Sequence, residues 1–326
     1  MVSLSDTLLA GDNANKIYLS MKVLVATQKP FAKAAVDGIR KIVEENGHTL
    51  ALLEKYPGEA ELVAAVADAD ALIVRSDKVT AAVVDAAKNL KIVVRAGAGF
   101  DNLDLAACTA HGVVAMNTPG QNSNAVAELA LGLMIYMNRN QFTPGTGSEL
   151  KGKTLGIQAY GNVGRLVGKL AMGFGMNVIA FDPYLPNEKI EATGAKVASS
   201  LEALYENSDF VSLHIPATPE TKGSIGRNLV GRMPKGGCLI NTARKEVINE
   251  AELFDLMSER EDLRYVADVA PERAAEFAEK FGKRYFGTPK KMGAETAEAN
   301  INAGLAAANQ ICKFFATGDR TFQLNK

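Results

Sequence analysis

The chain has 326 residues, 47% hydrophobic and 22% charged, a composition that places it among globular proteins of about two domains. Its 36 basic and 37 acidic residues are interspersed and leave a net charge of −1, which excludes the electrostatic footprint of a nucleic-acid or anionic-membrane binder and points to a small-molecule partner. No apolar run approaches the ~18 residues of a membrane span, and Cys108, Cys238 and Cys312 are far apart and not in metal-ligand spacing, so the expectations are a cytoplasmic protein with reduced thiols and no metal site.

Residues 1–20 lack a basic start followed by an apolar block, so they read as an N-terminal extension rather than a secretory signal. From Met21 onward, "KVLVAT", "LALLE", "ALIVRS", "KIVVRAG" and "GVVAMN" are short, β-branched and bounded by turn residues. Segments such as "FAKAAVDGIRKIVEENG" between them carry helical spacing. This is a βαβ series, and its near-continuous apolar strands predict an α/β fold with a parallel sheet covered on both faces. A long apolar helix follows over Asn124 to Asn138, suited either to a subunit interface or to a domain core. The Gly- and Pro-rich "RNQFTPGTGSELKGK" then leads into a second βαβ series, from "KTLGIQAYG" to "RYVADVAP".

Strand "TLGIQA" runs into Ala159-Tyr160-Gly161-Asn162-Val163-Gly164, close to the dinucleotide fingerprint G-x-G-x-x-G with alanine at its first position. Alanine is tolerable there if its φ is negative, and Gly161, where the backbone approaches a pyrophosphate, is intact. The helix beginning at Asn162 directs free N–H groups and a positive dipole end at that pyrophosphate. Asp182 ends the next strand, 18 residues after Gly164, where a carboxylate accepts from a ribose 2′-hydroxyl and repels a 2′-phosphate. The expected cofactor is NAD rather than NADP, with Tyr160, Gly161, Asn162, Val163, Gly164 and Asp182 around it.

Taken with "RAGAGFDNLDLAACTAHGVVAMNTPGQNSNAVAEL", "LHIPATPETKG", "CLINTARKEVINEAEL" and "ADVAPE", this stretch resembles the NAD-dependent D-2-hydroxyacid dehydrogenases over nearly all of residues 21–326. The resemblance is nearest to members acting on a phosphorylated 2-hydroxy acid in serine synthesis, in a short form without a C-terminal regulatory domain. It implies two Rossmann- or flavodoxin-like, doubly wound parallel-sheet domains facing a cleft. Residues 21–118 plus 291–326 would form the substrate domain and 119–290 the NAD domain, through which members of the family form homodimers.

By the same resemblance, Arg244 binds the substrate carboxylate and polarises the 2-oxo group, a task suited to a planar, permanently charged guanidinium. Asp268 lies near the nicotinamide carboxamide, and His214, Pro216, Thr242 and Ala243 line the cofactor. Glu272 corresponds to the glutamate that orients the catalytic base, although it stands one position early. Arg75, Ser76 and Lys78 hold the substrate phosphate, the backbone of Gly97 and Ala98 helps hold the carboxylate, and Arg95 braces the loop. His214, His48 and His111 receive no acid/base role.

The family carries its catalytic histidine directly after Thr-Pro, whereas here Thr288-Pro289 is followed by Lys290 and Lys291. Alignment from the left selects Lys290, and alignment from the right selects Lys291. Lysine normally titrates near 10.4, so it donates a proton easily at neutral pH and accepts one only if its surroundings lower that value. The alternatives left open are a glyoxylate or hydroxypyruvate reductase on the same scaffold and a non-catalytic NAD-sensing protein.

Overall fold

The computed structural model describes residues 20–325, so the extension expected over residues 1–20 lies outside it except for its last residue. The alternating pattern builds two all-parallel sheets. The first contains β1 (Lys22–Thr27), β2 (Thr49–Glu54), β3 (Ala71–Val74), β4 (Ile92–Arg95) and β5 (Val114–Asn117), in the order β2-β1-β3-β4-β5. Its strands are apolar at successive positions because both faces are covered. On β1, Val23 and Val25 enter the core shared with helices Lys33–Glu45 and Ala297–Thr317, while Leu24 and Ala26 enter the core on the other face. Each fully buried Val or Leu stabilises the fold by roughly 1.5–3 kcal/mol.

The second sheet contains β6 (Thr154–Gln158), β7 (Asn177–Phe181), β8 (Lys196–Val197), β9 (Phe210–Leu213), β10 (Cys238–Asn241), β11 (Arg264–Ala267) and β12 (Tyr285–Gly287). Their order is β12-β11-β10-β9-β6-β7-β8. Leu155 and Ile157 fill the core on one face, and Leu213 and Leu239 that on the other. Strand order reverses between β1 and β3 in one sheet and between β6 and β9 in the other. Each reversal sends the flanking helices to opposite faces and opens a crevice at the strand C-termini.

Helix Ser123–Asn138 links the lobes and packs by Ala127, Ala130, Leu131, Met134 and Met137 into the second lobe's core. The chain crosses back after β12. Thr296 caps helix Ala297–Thr317 by accepting from Ala299 N at 3.1 Å, and that helix lies against helix Lys33–Glu45 of the first lobe. The approach is close at Gly38, where a Cβ would fall 2.5 Å from Leu305 Cδ2 and the leucine side chain would have to shift. The tail then covers the edge of β5, with Leu324 N donating to Ala115 O at 2.8 Å and Asn325 Oδ1 accepting from Ala115 N at 2.8 Å. A covered edge offers no template for strand addition. Among the described residues, no helix is long and apolar enough to cross a membrane, and no group of three or more His, Cys, Asp or Glu is placed to hold a metal ion.

Candidate active site

The loop after β6 is built for an anion. Gly161 caps helix Asn162–Gly173, no side chain bonds to the first-turn N–H groups, and a Cβ on Gly161 would meet nothing within 4 Å. The positive end of the helix is therefore open, as a pyrophosphate requires. Gly164 is required for a different reason, since a Cβ there would stand 2.3 Å from the carbonyl oxygen of Ala159. Asn162 is exposed and Val163 half-buried. A cavity of about 580 Å³ opens beside this turn, lined in part by Asn162, Arg165 and Lys169. Its lining does not extend to Arg244 or Lys291.

One expectation for this loop is corrected. Ala159 has φ 73°, not a negative value; its N–H is tied to Phe181 O at 2.9 Å while its carbonyl lies against Gly164. The left-handed conformation costs an alanine about 1–2 kcal/mol. Tyr160 turns its side chain into the core, with its hydroxyl 2.8 Å from Thr193 Oγ1, so only its backbone faces the loop. Asp182, at the end of β7, accepts from Tyr160 N at 2.8 Å and from Tyr184 N at 2.9 Å. A carboxylate has about four acceptor positions, so Asp182 retains capacity for a ribose hydroxyl.

Beyond β9, His214 N donates to Gln158 O at 3.0 Å and the ring stands 3.0 Å from Ser212 Oγ. Burial pushes this histidine down to about 3, so it is neutral at working pH. Pro216 follows, exposed. At the end of β10, Thr242 and Ala243 are buried, and the Thr242 hydroxyl has no partner among the described residues. Asn241 shapes the next turn, accepting from Ala243 N at 3.0 Å and donating to Arg244 O at 2.9 Å.

That turn sends Arg244 across the cleft. Its Nη2 lies 3.3 Å from where a Cβ on Gly99 would stand, in the loop after β4. Arg95 ends β4 and lies over Gly97, where a Cβ would fall 1.5 Å from its Nη1. The Arg95 guanidinium is held below its ordinary range by burial, then by Arg75 and Arg244, with Asp101 opposing. Arg95 does brace the loop, its Nε donating to Arg75 O at 3.0 Å. It also adds a cation to the cleft, a contribution that Gly97 beside a strand-end arginine signals in the sequence.

Gly97 N–H donates to Arg95 O at 2.9 Å and the Ala98 carbonyl accepts from Asn117 Nδ2 at 2.6 Å. The Gly97 N–H is thus committed within the loop, whereas the Ala98 N–H makes no bond among the described residues. Arg75 is partly committed as well, donating to Lys29 O at 3.1 Å, Pro30 O at 3.3 Å and Asn300 Oδ1. Ser76 and Lys78 are exposed beside it.

The loop after β12 is clamped by a buried carboxylate. Asp268 accepts from Met292 N and Gly293 N, each at 2.8 Å, and from Thr288 Oγ1 at 3.2 Å. These bonds hold the residues on both sides of the lysine pair. Lys290 is exposed, and its carbonyl lies 2.8 Å from Thr288 Oγ1, where it competes with Asp268 for the single hydroxyl proton. Lys291 keeps exposed surface while protein atoms crowd its amine from both lobes, as in an open cleft. Burial and the nearby Arg244 push its amine down to about 8, with Arg95 acting in the same direction and Asp268 and Asp101 opposing.

Glu272 stands elsewhere. It lies 3.1 Å from Lys245 Nζ and is absent from the charged groups acting on Lys291. The expectation that it orients the catalytic base is corrected, because a cation nearer in space has taken the carboxylate. No pattern in the sequence marked Lys245 as that partner.

Residues 132–286 match the NAD binding domain of the D-isomer specific 2-hydroxyacid dehydrogenases. A D-3-phosphoglycerate dehydrogenase of Methanocaldococcus jannaschii is 38% identical over 290 residues, covering 84% of this chain and 54% of its own length. A hydroxypyruvate reductase of Thermotoga maritima is 38% identical over 224 residues, 64% of this chain and 72% of that one. The crystal structure of NAD+-bound 3-phosphoglycerate dehydrogenase from Entamoeba histolytica superposes with a TM-score of 0.85 at 49% identity, covering 94% of this chain and 99% of that one. The chain spans about half the length of the curated phosphoglycerate dehydrogenase from Methanocaldococcus. It belongs to the family of D-isomer specific 2-hydroxyacid dehydrogenases.

Proposed function

We propose that the protein is an NAD-dependent D-3-phosphoglycerate dehydrogenase, with Lys291 as its general acid and base. The observation that carries this reading is the convergence of Arg244, Arg95 and Lys291 on one cleft. Residues 119–290 form the NAD domain, and 21–118 with 291–326 the substrate domain. A bound NAD would supply the hydride acceptor for C2 of the hydroxy acid. Arg244 and Arg95 bind the carboxylate and hold the C2 oxygen toward Lys291, while Lys78, Ser76 and the free donors of Arg75 receive the phosphate. The neutral Lys291 amine takes the hydroxyl proton in oxidation, and its ammonium returns one in reduction. An amine near 8 has both forms available.

The three cysteines are free and buried, which suits a reducing cytoplasm. A homodimer through the NAD domain would use the open face at Gly132 and the exposed Phe142, which packs edge-on against Tyr136. A second reading, hydroxypyruvate reductase, is favoured by the three acceptors that already hold Arg75. The deciding experiment follows NADH with D-3-phosphoglycerate, D-glycerate and hydroxypyruvate in parallel. Turnover selective for the phosphorylated acid supports the first reading; preference for hydroxypyruvate supports the second. Cofactor binding without turnover on any of them would reject both and favour an NAD sensor.

A further inference from the structure

Among the described residues, no carboxylate lies within ion-pair distance of Lys291 Nζ. Of the two carboxylates whose charge reaches it, Asp268 and Asp101, neither forms an ion pair with it. Asp268 is bonded to the backbone of the lysine's own loop, and Glu272 is paired with Lys245. Facing Lys291 from the second lobe are Arg244 and Asp268, and from the first Arg95 and Asp101. A primary amine without a salt-bridge partner, beside guanidiniums that dock carboxylates, is arranged for more than proton transfer.

We propose that Lys291 is also a carbonyl-reactive nucleophile which, when no dinucleotide is bound, condenses with a small 2-oxo acid to form an imine. The inference rests on reading the cleft as a site for 2-oxo acids. Arg244 and Arg95 hold the acid's carboxylate, which brings its C2 to the amine. The nitrogen lone pair adds to C2 and the carbonyl oxygen takes a proton from that nitrogen, giving a carbinolamine. Loss of hydroxide together with the remaining N–H proton then expels one water and leaves the C=N bond. Amine plus ketone yields imine plus water, with no change of oxidation state.

Desolvation beside another cation is an established route to a nucleophilic lysine. At pH 7 about a tenth of an amine titrating near 8 is free, roughly 200-fold more than for a lysine at its ordinary value. Lys290, one residue away and exposed, serves as the internal control.

The test incubates the full chain, stripped of dinucleotide, with glyoxylate and cyanoborohydride from pH 6 to 10, and reads carboxymethylation at each lysine by peptide mass spectrometry. The expected result is saturable labelling of Lys291 at least about tenfold faster than Lys290 at pH 7–8, suppressed by D-3-phosphoglycerate. Labelling of Lys291 no faster than Lys290, or linear in glyoxylate without saturation, overturns the proposal. NADH-linked turnover measured on the same preparation separates the two ideas. Turnover without selective labelling rejects the imine alone, and selective, saturable labelling without turnover supports the imine while rejecting the dehydrogenase reading.

Discussion

Lys245 Nζ lies 3.1 Å from Glu272 Oε1, and this pair removes from the cleft the one glutamate that the family pattern assigns to its catalytic base. Glu272 is expected to act as an exposed ion-pair partner. Glu272→Gln should leave kcat within about threefold of the parent and cost at most about 1 kcal/mol of stability. A loss of about a hundredfold in kcat, with KM unchanged, would place Glu272 in the acid/base machinery instead.

The two adjacent lysines should separate cleanly. Lys291→Gln is expected to lower kcat in both directions by about 10²- to 10⁴-fold, the usual contribution of a general acid or base. Lys290→Gln should change it by less than about threefold. Single-turnover rates for both variants, with NADH binding as the check on folding, decide between them.

The pH dependence follows from the sign of the shift. Burial and Arg244 hold the Lys291 amine near 8, so oxidation of the hydroxy acid, which needs the neutral amine, should rise through about pH 8 and level off above it. Reduction, which needs the ammonium, should fall over the same range. Asp268 opposes the downward shift, so Asp268→Asn should move the midpoint to lower pH. A profile flat from about pH 7 to 10 in both directions would exclude the lysine as acid and base.

Ala159 supplies a stability test independent of catalysis. Because it occupies φ 73°, Ala159→Gly should relieve about 1 kcal/mol of backbone strain. The gain should appear as a higher urea midpoint with unchanged m-value. No gain, or a loss, would mean that the unfolded chain's added freedom offsets the relief.

Asp182 couples cofactor choice to loop shape. With its carboxylate accepting from Tyr160 N and Tyr184 N, Asp182→Ala should weaken NAD binding and narrow the preference over NADP. Titrations with both dinucleotides measure the two effects. Asp182→Asn, which keeps one acceptor oxygen, should fall between.

By itself the sequence determined what depends on neighbouring residues. Continuous runs such as "KVLVAT" and "ALIVRS" can be buried on both faces only in a parallel sheet, and the spacing of Gly161 and Gly164 before a helix defines a loop open to an anion. Motif order was sufficient to recognise the family. Tertiary structure decided what depends on residues far apart in the chain. Lys290 and Lys291 are equivalent in sequence, and only the bonds from Asp268 to Met292 and Gly293, with Arg244 and Arg95 arriving from opposite lobes, set Lys291 apart. Glu272 was misread because its partner is the cation nearest in space, Lys245, 27 residues away. Ala159 was misread because its φ is imposed by Phe181 and Gly164 rather than by alanine's own preference. Charge and strain act through distance and packing, which a linear pattern does not contain.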